Sequence, residues 1–142
     1  MSKANEYLKA YNIKIRELLD VLTDEFPNND LITTMHRRFR VALTTDRSLL
    51  ITETGPEIFQ HRDDIANNKW DNLVLHDWET SISSADTTLI NDIDNKTLSQ
   101  MICLLRNVWE RYSEDEKIHV TKIIRKLLSY YVKWCVEMNK QP

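Results

Sequence analysis

The chain has 142 residues and a formal net charge of −3, with 42% hydrophobic and 29% charged residues, three prolines and a single glycine, Gly55. That length is one domain's worth, and a chain of this size buries roughly two-thirds of its unfolded surface, enough for a real core. One glycine excludes phosphate loops, dinucleotide turns and nucleophile elbows, all of which need glycine where the backbone takes positive φ or closely approaches a ligand.

The charge is unevenly spread. Residues 1–52 carry +1, residues 53–94 carry −8 and residues 95–142 carry +4. An acidic middle between neutral and basic ends points to packing against something positive rather than to a general nucleic-acid binder. Apolar runs are only three or four residues long, too short to span a membrane. The opening Met-Ser-Lys-Ala-Asn-Glu has no signal-peptide core. Cys103 and Cys135 both lie on apolar helical stripes, so buried free thiols and a reducing, intracellular location are expected.

Apart from Gly55 and the prolines, the composition favours helix over sheet. A first helix is predicted from about Lys3 to Glu25, with Leu8, Tyr11, Ile15, Leu18 and Leu22 on one stripe. Phe26-Pro27 stops it. Asp30 is expected to cap a second helix through Thr45, with Ile32, Met35, Phe39, Ala42 and Leu43 facing inward. Asp46 is expected to cap a short helix through Ile51. Thr54-Gly55-Pro56 then reads as a break, with glycine closing one helix and proline opening the next, to about Ala66. Trp70, Leu73, Val74, Leu75 and Trp78 form an apolar anchor.

Residues 79–97, rich in Ser and Thr, read as an exposed loop with a short turn at Leu89-Ile90. A further helix is predicted from about Asn95 to Tyr112, with Leu98, Met101, Ile102, Leu105, Val108 and Trp109 on one side. Ser113 and Glu116 form a capping box. The last helix reaches about Met138, with Val120, Ile123, Ile124, Leu127, Leu128, Tyr131, Trp134, Cys135 and Met138 inward. The short junction makes the last two helices an antiparallel hairpin. The expected fold is all-α, one domain of about six helices with this C-terminal hairpin packed on the N-terminal pair.

Candidate chemistry is sparse. His36, His61, His76 and His119 are isolated in sequence, and neither His-Glu-x-x-His nor Cys-x-x-Cys occurs. His61, Asp63, Asp64, His76 and Asp77 mix imidazole and carboxylate ligands, but they read as a solvated acidic surface. Asp63 and Asp64 fall on different helix faces and cannot act as a pair. No catalytic residue, cofactor or metal is expected.

The basic run His36-Arg37-Arg38-Phe39-Arg40 is the best nucleic-acid candidate, since Arg37 and Arg40 share a helix face that can meet phosphates. A solvated face paired with the acidic middle is the simpler reading. Lys122, Arg125, Lys126 and Lys133 make a weaker basic strip. Trp70, Trp78, Trp109, Tyr131 and Trp134 have core spacing, whereas Tyr130 is expected off the main stripe, as a contact residue.

Several segments together resemble a family of small helical proteins encoded by large double-stranded DNA viruses of eukaryotes. They are Glu25-Phe26-Pro27, Pro56-Glu57-Ile58-Phe59 leading to Ile65, and an acidic-apolar stretch ending near Leu75. The sequence Leu105-x-x-x-Trp109-x-x-Tyr112-Ser113-x-x-x-Lys117 and a terminal helix around Tyr130-Tyr131 complete the likeness. The chain departs from that pattern in its long Ser/Thr-rich stretch and in lacking paired phenylalanines near 70–75. The resemblance implies a viral protein made in an infected cell, with no defined activity and no catalytic residues to carry over. The expected function is a non-enzymatic structural or interaction domain that binds a protein partner or a second copy. The alternative is a nucleic-acid-binding module using Arg37, Arg38 and Arg40.

Overall fold

A computed structural model describes residues 2–74, 101 and 104–142. The protein is an all-α bundle, and no strand occurs among the described residues. Helix α1 spans Lys3–Glu25, α2 Asp30–Thr45, α3 Leu49–Gln60, α4 Arg62–Ala66 and α5 Trp70–Val74. Residues 104–108 are helical and run into a 3₁₀ turn, Trp109–Arg111, before the last helix, α6, at Glu114–Glu137. The expected 79–97 loop, the start of the helix predicted from Asn95, and the residues Leu75, His76, Asp77, Trp78, Leu98, Ile102 and Cys103 lie outside the described residues.

Among the described residues, the two long helices, α1 and α6, make the most extensive contact. Along α1, Tyr11, Ile15, Leu18, Leu19 and Leu22 are at most 1% exposed. Along α6, Val120, Ile123, Ile124, Leu127, Tyr131, Trp134 and Cys135 are buried. Both sets recur at three- and four-residue intervals, so each helix lays one stripe against the other. Ile32, Met35, Phe39 and Ala42 of α2 close the core from one side, and Met101, Leu105, Val108 and Trp109 also lie within it. Cys135 is a buried free thiol. Met138, placed on the α6 stripe by spacing, is instead 45% exposed just beyond the helix end.

Helix ends follow sequence chemistry with one substitution of roles. Ser2 caps α1 by accepting from Asn5 N–H. Asn29, not Asp30, caps α2, its Oδ1 accepting from the Leu31 and Ile32 amides at 2.8 and 3.3 Å, which makes Asp30 the first helical residue. Both halves of the Ser113–Glu116 capping box are made. At the other ends, α4 and α6 close on Asn68 (φ 57°) and Asn139 (φ 55°). Lys69 N–H then reaches the Asp64 carbonyl at 2.8 Å, and Lys140 N–H the Cys135 carbonyl at 2.8 Å, the doubled-back bond of a Schellman cap. Asparagine tolerates this left-handed conformation better than most side chains, and here it supplies what glycine usually does.

The expected break at Thr54-Gly55-Pro56 does not occur. Helix α3 runs straight through it, and the chain instead interrupts at His61, between α3 and α4. Leu50, Ile51, Thr54, Gly55 and Ile58 form one continuous buried face, whereas Pro56 is exposed. The carbonyl that loses its partner to Pro56 belongs to Thr52, also exposed, so water can satisfy it. The helix conformation disfavoured before proline is opposed partly by the preceding Cβ, which Gly55 lacks. Gly55 is needed for packing. A Cβ built there would clash with Cδ1, Cε1 and Cγ of the Tyr131 ring of α6, so the bare backbone lets α3 approach that ring closely.

Candidate functional site

Several clefts open among the described residues, and three bear on function. The first, about 740 Å³, lies between the N-terminal half of α1 and the C-terminal end of α2 with its following turn. Asn5, Leu8, Asn12 and Arg16 recur along one flank of α1, with Lys9 and Ile13 beside them. Leu8, Phe39 and Leu43 give it an apolar floor, and Lys9, Arg16 and Arg47 are exposed at its rim.

The turn that carries Arg47 is fixed locally. The Asp46 carboxylate accepts from Ser48 N–H at 2.9 Å and from Ser48 Oγ at 2.7 Å. These bonds, the hydroxyl's first, hold its pKa below the usual value. Asp46 is therefore the C-cap of α2 and an anchor for the turn, not the side-chain cap of α3 that spacing predicts.

Asn12 forms part of the cleft wall and is only 7% exposed. Its Nδ2 donates to the Arg47 carbonyl at 3.0 Å, which fixes which way the amide faces. Its Oδ1 has no hydrogen-bond partner. Sequence reasoning missed this residue because it kept to the apolar stripe. The signal was present: Asn12 stands four residues after Leu8 and three before Ile15, a polar side chain on the edge of a buried face.

The second cleft, about 880 Å³, sits where α5 meets α6. Trp109 Nε1–H donates to Asp71 Oδ1 at 2.9 Å. Lys117 lies over the Trp109 ring at 5.3 Å and Arg125 over Trp70 at 5.1 Å, while Arg125 also donates to Asn68 Oδ1. Its cations are thus held by aromatic faces and amides within the fold. The third, about 360 Å³, gathers Lys14, His119, Lys122, Arg125 and Lys126 between α1 and α6, with Lys14 paired to Glu17 at 3.0 Å. The basic strip predicted on α6 therefore extends onto α1, and its last member, Lys133, lies 5.8 Å from the Tyr7 ring.

The basic run of α2 divides. Arg37 and Arg40 are exposed, Arg38 is half-buried and engaged with a neighbour, and Phe39 is core. His36 is tied to α1: Thr23 Oγ1 donates to the Leu19 carbonyl at 2.8 Å, so His36 Nε2 carries the proton it shares with Thr23, also at 2.8 Å. Tyr130 is half-buried and packs against the core. Tyr131, Trp134 and Trp109 are core residues, as their spacing indicates. His61 and Asp64 are half-buried and Asp63 exposed, all around α4. No group of three His, Cys, Asp or Glu side chains stands close enough to hold a metal among the described residues. No helix among them is long and apolar enough to cross a membrane.

The chain matches no family model, no curated protein and no solved structure.

Proposed function

We propose that the protein is a non-enzymatic interaction domain that presents its α1–α2 face to a protein partner, as a component of a viral assembly inside the infected cell. The observation that carries this reading is the α1–α2 groove: an apolar floor of Leu8, Phe39 and Leu43 under a rim of Lys9, Arg16 and Arg47. Apolar floors with charged rims are the usual anatomy of protein-binding surfaces. The viral setting rests on the family resemblance of the sequence alone.

Affinity capture from the native source, followed by mass spectrometry, tests the reading. A protein should be retained by the wild type and lost with Leu43→Glu, which puts a charge on the groove floor while circular dichroism shows the helices intact. Turnover of a small molecule that disappears on replacing His61 or Asp64 would overturn it.

The exposure of Arg37 and Arg40 on α2 favours a second reading, contact with nucleic acid phosphates. Affinity should then fall steeply with salt, and replacing Arg37, Arg38 and Arg40 together by Ala should abolish it. Unchanged affinity in the triple variant rules this reading out.

A further inference from the structure

We infer that the α1–α2 groove takes an acidic, apolar-studded peptide segment of the partner protein. The inference rests on the interaction-domain reading and names the chemistry of the partner.

Two observations converge. The rim cations Lys9, Arg16 and Arg47 face only one carboxylate among the lining residues, Asp46, and both Ser48 hydrogen bonds fall on that carboxylate. The occupant that complements this rim is negative. The floor of Leu8, Phe39 and Leu43, with Ile13 half-exposed beside it, asks for apolar side chains between the acids.

A fatty acid satisfies the floor but brings a single carboxylate to three cations. A nucleic acid backbone satisfies the rim and leaves the apolar floor unused. A peptide with several acids between apolar side chains satisfies both. From Asn5 to Arg16 the α1 wall is about 16 Å long at 1.5 Å per residue, room for about five extended residues.

The test selects binders to the intact protein from a random twelve-residue peptide library and measures the best by fluorescence anisotropy. Selected peptides should be enriched in Asp and Glu alternating with Leu, Ile or Phe. Arg16→Glu should weaken them tenfold or more, and exchanging the peptide acids for lysine should restore binding to that variant.

Neutral or basic winners overturn the inference, as do failure to enrich any peptide and unchanged affinity in Arg16→Glu. Tighter binding of a single-stranded oligonucleotide or of oleate in the same groove overturns it too. A partner captured from the native source and still retained by Arg16→Glu leaves the interaction-domain reading standing and removes this one; no captured partner removes both.

Discussion

Tyr11, Thr54 and the Leu50 carbonyl form a short relay inside the core. Thr54 Oγ1 donates to the Leu50 carbonyl at 2.6 Å, so the Tyr11 hydroxyl is the donor in its 2.6 Å contact with Thr54. Both residues are fully buried. The two hydroxyls are therefore not equivalent. Thr54→Val strands the Tyr11 hydroxyl without a partner and should destabilise by about 1–3 kcal/mol. Tyr11→Phe leaves Thr54 still bonded to Leu50 and should cost only about 0.5–1.5 kcal/mol. The double variant should be more stable than Thr54→Val alone, because no orphaned group remains. Urea unfolding of the three variants gives the order, and a double variant less stable than Thr54→Val would break this account. Nothing in the sequence pattern foretells the relay, since Thr54 reads as a loop residue next to glycine and proline. Asn12 is hidden for a related reason: stripe reading sorts residues into apolar and polar, and a buried amide belongs to neither.

The helices themselves were legible wherever apolar spacing and caps agreed. The bounds of α1 and the start of α6 follow from Leu8 through Leu22 and from Ser113 with Glu116. Helix α3 was misread because Gly55-Pro56 carries strong local stop signals, and these were outweighed by a five-residue face packed against the rest of the bundle. Local propensity is a weak prior against such burial. The α3–α6 crossing also predicts its own weak point. Gly55→Ala forces a methyl group into the Tyr131 ring, and Tyr131 is held by Phe59 edge-on at 6.3 Å and by Trp134 stacked at 6.5 Å. Overpacking of this kind typically costs about 1–3 kcal/mol. Adding Tyr131→Leu should recover part of the loss, and a double-mutant cycle measured by thermal unfolding should show strong coupling. Additive effects would mean that the ring moves aside freely.

Across the fold, buried tyrosines set how it responds to alkali. Burial first, then the nearby Glu25 and Glu116 carboxylates, push the Tyr112 hydroxyl up to about 12, with Arg111 opposing. Burial also raises Tyr11 and Tyr131 well above the ordinary tyrosine value. An unfolded tyrosine ionises near 10. The folded state therefore holds protons that the unfolded state releases, so stability is complete below pH 10 and declines as pH rises from 10 through about 12. Urea midpoints at pH 8, 10 and 11.5 should fall mainly over the last interval, and Tyr112→Phe should make that fall shallower. A midpoint flat to pH 11.5 contradicts the burial of these hydroxyls.

Distribution of charge was legible as blocks along the chain, but their placement was not. The rim of the α1–α2 groove combines cations from one helix and a turn that are distant in sequence, and the arginine run of α2 divides between exposed and half-buried positions. Composition counts charges; only the helix crossings decide which of them become neighbours.

The seating of α3 on Tyr131 also constrains evolution. With its one glycine spent on a crossing rather than on a bend, the chain has no spare conformational joint there. Kin that carry alanine at position 55 should have exchanged the facing tyrosine for something slimmer, and the two sites should drift together.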